Sequence, residues 1–353
     1  MKPPIPSKEQ QVLFNLLKGD PPKSLEGIDI GVLFDLFRRH RLFPIATAIL
    51  SLLEEGERER WKRAIQFRTL RSMQQLTVCH SFVEAFRKEG LEAIPFKGPV
   101  LAHILFGNVG ARHSSDLDIL VRNEDTKRII ELAEREGFEL KFPKAGLSER
   151  QWRYYRRYKK DIGLHNKEHR IFVELHYSFE NYLGLSSSDM DLFIQHTEEV
   201  RIGELRFPSM NKHYTFLYLA LHGGVHQYRR LFWLRDVAEA LISWELDHQK
   251  ILADAKAMGI ERLLGISMEL AKEIFSIEIP EEYKEYLQDN RRIIGKLKQT
   301  ALGYILGPEF PSFKGKMSHH LFMLRLKPEL SHYFRTMREI VNRLYIGKFL
   351  GGH

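Results

Sequence analysis

Two aspartates two positions apart, Asp116 and Asp118, are the residues of this 353-residue chain whose spacing most directly indicates chemistry. They stand in the run Asp-Leu-Asp-Ile-Leu-Val, which is typical of a β-strand. Side chains alternate between the two faces of a strand, so both carboxylates point the same way. Such neighbours repel each other unless a cation lies between them, and oxygen ligands suit Mg²⁺. The spacing predicts a divalent metal site; the alternative is two solvent-facing aspartates at a strand end.

The segment before the aspartates has the composition of a phosphate-binding turn. Residues 91–96 are apolar and predict a strand, Lys97-Gly98-Pro99 predicts a turn, and residues 100–106 predict a short helix. Gly98 lets the backbone approach a ligand closely, and a helix N-terminus favours a phosphate. Pro99 fits the first helical position, where no N–H is required. We therefore expect Lys97 and Gly98 to bind phosphate.

This order of strand, glycine turn, short helix and Arg112-x-x-x-Asp-Leu-Asp resembles the nucleotidyltransferase superfamily typified by DNA polymerase beta. More narrowly, it resembles the bacterial family of uncharacterised nucleotidyltransferases in which Lys-Gly replaces the usual Gly-Ser. The resemblance implies a third carboxylate on a later strand, where Glu174-Leu-His fits. It covers residues 30 to 245 approximately, and includes an Arg-Arg-His segment ending at His40 and a later His-x-x-x-His helix.

The resemblance implies a transferase that moves a nucleoside monophosphate from a nucleoside triphosphate to an unidentified hydroxyl acceptor and releases pyrophosphate. It implies Mg²⁺ or Mn²⁺ as the cofactor. It also implies two sets of site residues. The catalytic and metal-binding set is Asp116, Asp118 and Glu174, and the nucleotide-binding set is Lys97, Gly98, Arg112, His222 and His226.

One departure from the superfamily pattern follows Gly98. A hydroxyl residue usually stands there, whereas this chain has Pro99, which removes one phosphate hydrogen bond. Lys97 or Arg112 compensates as a cation in the catalytic reading. The alternative is a catalytically degenerate module of the same fold that binds nucleotide without turning it over. Arg112 also has a structural alternative, pairing with Asp116 in the absence of metal.

The two histidines of the later helix, His222 and His226, are four residues apart and therefore share a helix face. The spacing occurs in zinc sites, but Gly223 stands where a metalloprotease requires glutamate, and no cysteine is near. We expect these histidines either to pack under the catalytic domain or to line the nucleotide cleft.

A basic aromatic block, Trp152-Arg-Tyr-Tyr-Arg-Arg-Tyr-Lys-Lys160, gives a second class of function. Aromatic rings interleaved with arginine and lysine could stack on bases and contact phosphates, which would make the chain an RNA-binding protein. The other interpretation is a basic helix whose tyrosine rings lean on the core while their hydroxyls reach water.

Hydrophobic periodicity divides the chain into three parts. Residues 1–90 have helical spacing, including a long helix over 57–89. Residues 91–182 alternate between strand and helix patterns and form the predicted nucleotidyltransferase catalytic domain. Residues 183–353 are predicted to be a helical C-terminal domain. The expected class is α+β, a minimal nucleotidyltransferase mixed sheet with flanking helices and two helical regions.

Composition sets limits on the partners and the compartment. The formal charge of +8 favours anionic partners such as nucleotides, nucleic acid or a membrane surface. A single cysteine, Cys79, excludes an intramolecular disulfide and indicates a reducing compartment. We find neither a secretory signal nor an uncharged apolar stretch of about 18 residues, so we expect a cytoplasmic protein without a spanning segment. The sequence contains no Walker A loop, no Gly-x-Ser-x-Gly and no Rossmann fingerprint.

Overall fold

The computed structural model describes residues 5–180, 183–308, 321–327, 332, 334 and 336–338, and combines many helices with two β-sheets. This arrangement confirms the predicted α+β class. The principal helices are α1 (Lys8–Leu17), α2 (Ile30–His40), α3 (Glu55–Lys88), α4 (Gly98–Phe106), α5 (Thr126–Arg135), α6 (Glu149–Tyr158), α7 (Ser187–Gln195), α8 (Lys212–Val225), α9 (Leu231–Ser243), α10 (His248–Ala257), α11 (Glu261–Phe275), α12 (Glu281–Asp289) and α13 (Arg291–Leu306), with a 3₁₀ helix at Phe43–Leu52.

The chain folds as two compact units. The first takes its described residues from Met1–Thr69, Ala111–His113 and Thr215–Pro328, and the second takes its own from Leu70–Gly110, Ser114–Tyr214 and Glu329–His353. Helices from both ends of the sequence therefore contribute to the first unit. The functional division at residues 90 and 182 stays a prediction.

A five-stranded mixed sheet forms the centre of the second unit. Its strands are β1 (Ile94–Pro95), β2 (Leu117–Leu120), β3 (Phe138–Phe142), β4 (Asp161–Asn166) and β5 (Ile171–His176), in the spatial order β1-β2-β5-β4-β3. β2 and β5 are parallel, and the other neighbours are antiparallel. β1 is shorter than the strand expected over 91–96. It lies at the sheet edge, where Pro95, which has no N–H to donate, is tolerated.

Alternation along β2 and β5 separates a buried face from a polar face. Ile119, Val173 and Leu175 are fully buried and belong to a hydrophobic cluster that also contains Phe82 of α3 and Ile129 of α5. The residues between them in the sequence point to the opposite face. Apolar packing on one face thus fixes which side chains lie on the other.

A second, two-stranded sheet was not expected from the sequence. It consists of β6 (Thr197–Ile202) and β7 (Leu205–Met210), which pair in antiparallel fashion around Gly203, whose φ is +60°. It lies inside the region predicted to be helical from residue 183, so that prediction was wrong for this segment. Alternating apolar residues on both sides of Gly203 were the available signal.

Aromatic packing organises the N-terminal part of the first unit. The fully buried Trp61 of α3 meets Phe34, Phe37 and Phe43 at ring-centroid distances of 5.0 to 5.7 Å. Such edge-to-face contacts stabilise a core beyond the area that they bury. Of the helices in the described part of the chain, none combines the length and apolarity needed to cross a membrane.

Candidate active site

The polar face of the five-stranded sheet carries two of the three predicted carboxylates. Asp118 on β2 is directly opposite Glu174 on β5 in the parallel register, and Leu120 is opposite His176. Directly paired residues of neighbouring strands project their side chains to the same face. The sheet therefore brings Asp118 and Glu174 together from positions that are far apart in the sequence.

His176 completes this group and was not among the site residues predicted from the sequence. Its Nε2 lies 2.9 Å from Oδ1 of Asp118 and 3.3 Å from Oε2 of Glu174, so the imidazole bridges both carboxylates. The ring is nearly fully buried, and its Nδ1 has no hydrogen-bond partner among the described residues. Its position two residues after Glu174 on a strand was the signal in the sequence.

Asp116 lies immediately before β2 and is partly exposed. The hydroxyl of Ser114 donates to the carbonyl oxygen of Asp116 at 2.7 Å and lies 3.4 Å from its Oδ1. Potential ligand atoms of Asp118, Glu174 and His176 lie within 4.8 Å of one another, and Asp116 is outside this group. The structure thus gathers two of the three predicted carboxylates, and a metal-binding role for Asp116 stays a prediction.

Lys97 supplies the cation next to these carboxylates. Its ammonium donates to Oδ1 of Asp118 at 2.5 Å, and the two side chains are 12% and 3% exposed. The preceding residue is held against the same strand, because the N–H of Phe96 donates to the carbonyl oxygen of Asp118 at 3.2 Å. Lys97 was predicted to bind phosphate; in the structure it forms an ion pair with the central aspartate.

Gly98 begins helix α4 in a conformation that side chains rarely adopt. Its φ is +64°, and a Cβ at this position would lie 3.5 Å from Cδ2 of Leu117. Lys97 is the N-cap of α4 and makes no side-chain capping hydrogen bond, while Pro99 lies in the first turn. The turn therefore keeps the glycine backbone beside β2, and phosphate binding by Gly98 stays a prediction.

The electrostatics of the group are those of a compensated acidic cluster. Burial raises the pKa of Asp118, but the charge of Lys97 and the hydrogen bond from His176 outweigh it and hold the pKa below its ordinary value. Burial likewise raises the pKa of Glu174, and the hydrogen bond with His176 reverses the direction. For His176, burial lowers the pKa, yet hydrogen bonds to Asp118 and Glu174 raise it above the ordinary value. The charge of Lys97 and the hydrogen bonds of His176 thus favour the ionised form of both carboxylates.

The side chains fit a divalent cation. Two carboxylates in register and one imidazole provide oxygen and nitrogen atoms that can bind a metal, and these atoms lie within 4.8 Å of one another. Carboxylate oxygens suit Mg²⁺ and Mn²⁺, and an imidazole is acceptable to Mn²⁺ and zinc.

Arg112 lies in the first unit and makes a buried ion pair with Asp236 of α9. Its Nε donates to Oδ2 of Asp236 at 2.7 Å, and the two side chains are 3% and 1% exposed. The guanidinium carbon lies 4.9 Å from the ring centroid of Phe232. This contact with Asp236 supports a structural role, while the predicted role in nucleotide binding stays a prediction.

His222 and His226 lie in an aromatic array of the first unit. Their rings are 4.6 Å apart, and the ring of His226 stacks on Trp233 at 4.9 Å. The two glycines between them are required by close packing. A Cβ on Gly223 would come within 2.3 Å of Tyr228, and one on Gly224 within 2.8 Å of Leu263. Local packing therefore explains this motif, and nucleotide binding by the two histidines stays a prediction.

The basic aromatic block forms helix α6. Tyr155 is fully buried and its hydroxyl donates to the carbonyl oxygen of Asp161 at 3.2 Å. Trp152, Tyr154 and Tyr158 pack against the same hydrophobic cluster. These contacts favour the interpretation in which the rings lean on the core.

A comparison with protein families identifies the family of this chain. The sequence model of a family described as uncharacterised nucleotidyltransferase matches residues 26–276. The chain belongs to this family. The match includes β2, β5, the Lys97-Gly98 turn and the His-x-x-x-His helix, so the family predicted from the residues is confirmed. A bacterial origin and the narrower Lys-Gly variant stay predictions. A comparison with curated proteins found no match.

Proposed function

We propose that this nucleotidyltransferase moves a nucleoside monophosphate from a nucleoside triphosphate to a hydroxyl acceptor in the presence of Mg²⁺ or Mn²⁺, and releases pyrophosphate. The observation that carries the proposal is the register of β2 and β5, which places Asp118 opposite Glu174 on one face of the sheet. Family membership supports the transferase class. The acceptor is a small molecule, a protein or an RNA end.

Each residue has a specific task in this proposal. Asp118 and Glu174 would hold the divalent cation, and Asp116 would contribute from the position just before the start of β2. When bound, the cation lowers the pKa of the acceptor hydroxyl and neutralises the triphosphate. The backbone of Gly98 contacts phosphate oxygens. Glu174, which is partly exposed, is also placed to accept the proton of the acceptor.

Lys97 has two successive partners in the proposed reaction. In the structure its ammonium neutralises Asp118. With a divalent cation held by Asp118 and Glu174, Asp118 would no longer depend on the charge of Lys97, and the ammonium would then be available to bind a phosphate oxygen. A lysine is suited to this exchange, because its ammonium is a compact charge on a flexible stem.

The proposal predicts that the nucleoside monophosphate, which carries the α-phosphate, is transferred and that the γ-phosphate is not. Wild-type protein incubated with α-labelled triphosphates, Mg²⁺ or Mn²⁺ and cell extract should label an acceptor, and chelation of the metal should abolish the signal. Labelling by γ-labelled triphosphates instead would contradict nucleotidyl transfer and indicate phosphoryl transfer.

A second candidate is a degenerate module that binds nucleotide without transfer. Pro99 in the first turn of α4 favours it, because the hydroxyl expected after Gly98 is absent. Protein that binds triphosphate yet labels nothing under either metal would support this candidate. Direct RNA binding through α6 and a cytoplasmic location both stay predictions.

A further inference from the structure

A second lysine, Lys160, forms an ion pair near the end of β5, the strand that carries Glu174 and His176. Its ammonium donates to Oε1 of Glu180 at 2.5 Å. The Glu180 side chain is 6% exposed, whereas that of Lys160 is 26% exposed. The carboxylate is therefore enclosed in the protein, and the lysine retains access to solvent.

The backbone fixes Lys160 at the end of β5. Its carbonyl oxygen accepts hydrogen bonds from the N–H groups of Tyr177 and Ser178, at 3.0 and 3.3 Å. The next residue, Asp161, is the register partner of His176. Lys160 is thus anchored beside the strand end that carries His176, and its place is set by main-chain bonds.

Lys97 lies on the other side of the carboxylates, next to β2, where it contacts Asp118. The antiparallel register of β1 and β2 continues through Phe96, whose N–H meets Asp118, so Lys97 enters near the start of β2. The two lysines act on each other electrostatically. Burial and the charge of Lys97 lower the pKa of Lys160, while Glu180 and Asp161 raise it, and the outcome is above the ordinary value. Lys160 is therefore a charged ammonium.

The ammonium of Lys160 has unused hydrogen-bonding capacity. A lysine ammonium carries three donors, and among the described residues its one hydrogen-bond partner is Glu180. A buried ion pair is weak evidence of a stabilising role, because desolvation offsets the attraction. Perturbed charged groups gathered at one place are instead typical of functional sites.

We propose that Lys160 binds the polyphosphate of the nucleoside triphosphate, and that Glu180 holds its ammonium in position. The proposal rests on the proposed function. Lys160 would supply a phosphate-binding cation on the side of β5, whereas Lys97 supplies one on the side of β2. That second cation matters because Asp118 and Glu174 otherwise repel a triphosphate.

Three variants separate phosphate binding from a structural role. Lys160→Gln removes the ammonium but also takes one charged partner from the buried carboxylate of Glu180, so a weaker affinity in this variant alone does not separate the two roles. Glu180→Gln keeps the lysine and removes its carboxylate partner. The double variant Lys160→Gln/Glu180→Gln removes both charges of the ion pair together. Lys167→Gln is the matched control, since Lys167 lies at the other end of β5 and is 68% exposed.

The measurement is calorimetric binding of inorganic tripolyphosphate and of the four nucleoside triphosphates, with Mg²⁺, below the melting temperature of each variant. Lys160→Gln and the double variant should both bind about tenfold to a hundredfold more weakly, the loss expected for one charge-assisted hydrogen bond. Lys167→Gln should bind as tightly as wild type, and Glu180→Gln should bind more weakly than wild type, because the ammonium of Lys160 loses the carboxylate that holds it in position.

Wild-type affinity in Lys160→Gln, or recovery of that affinity in the double variant, would overturn the proposal while leaving nucleotidyl transfer intact. Wild-type protein that binds neither tripolyphosphate nor any nucleoside triphosphate would overturn the proposed function and this proposal together.

Discussion

Replacing Asp118 by Asn should abolish nucleotidyl transfer. The substitution keeps the size of the side chain but removes the charge that, in the proposed function, holds the divalent cation together with Glu174 near the reacting phosphate. Charge that develops in the transition state then loses its stabilisation, and such a loss is typically several kcal/mol, or roughly a thousandfold in rate. The assay is the transfer of α-label to acceptor, with Asp20→Asn as an exposed control that has the same change in charge. Undiminished transfer by the Asp118 variant would contradict the catalytic assignment.

The structure also revises what this substitution does to stability. Repulsion between Asp116 and Asp118 alone would make the loss of charge neutral or stabilising. In the structure, however, Asp118 is the hydrogen-bonded partner of both Lys97 and His176. Removing its charge leaves the buried ammonium of Lys97 and the imidazole of His176 with a weaker hydrogen-bond partner, so we expect the variant to be destabilised by about 1–3 kcal/mol. Transfer must therefore be compared below the melting temperature of the variant.

Replacing Asp236 by Asn should lower the free energy of unfolding more than replacing Asp118 by Asn does. Arg112 would remain buried next to a neutral amide, and breaking a buried ion pair from one side typically costs about 3–5 kcal/mol. Urea unfolding followed by circular dichroism measures the loss. The two units can unfold in separate steps, so the effect should fall on the transition of the first unit.

A double variant provides the control for this pair. Burial raises the pKa of Asp236, and Arg112 only partly opposes that effect, so ionisation of the carboxyl is costly in the folded protein. Arg112→Met/Asp236→Leu removes both charges and should therefore recover much of the lost stability. If Asp236→Asn alone unfolds like wild type, the pair is not a structural requirement.

The carboxylates were predictable because their signal is local. Asp116 and Asp118 alternate with apolar residues, and Glu174 stands in another alternating run, so period-two patterning assigns each to the polar face. Asp118 and Glu174, which are paired in the register, are 56 positions apart in the sequence (174 − 118), and no local pattern specifies that register. His176 could have been included from its spacing to Glu174.

The contacts of Lys97 and Arg112 were less accessible to sequence reasoning. Lys97 was interpreted as a phosphate ligand, since the Lys-Gly turn is a local motif, but its ion pair with Asp118 depends on how β1 and β2 align. Arg112 was assigned to nucleotide or to Asp116. Its observed partner, Asp236, is 124 residues away on a helix of the first unit. Tertiary packing alone selects such partners.

A crystal structure with Mg²⁺ and a non-hydrolysable nucleoside triphosphate would test the proposed metal and phosphate sites directly. We expect a cation bound by carboxylate oxygens of Asp118 and Glu174, a triphosphate beside Gly98, and the ammonium of Lys97 on phosphate instead of on Asp118. A triphosphate bound elsewhere, or a cation that contacts neither Asp118 nor Glu174, would contradict the proposed sites.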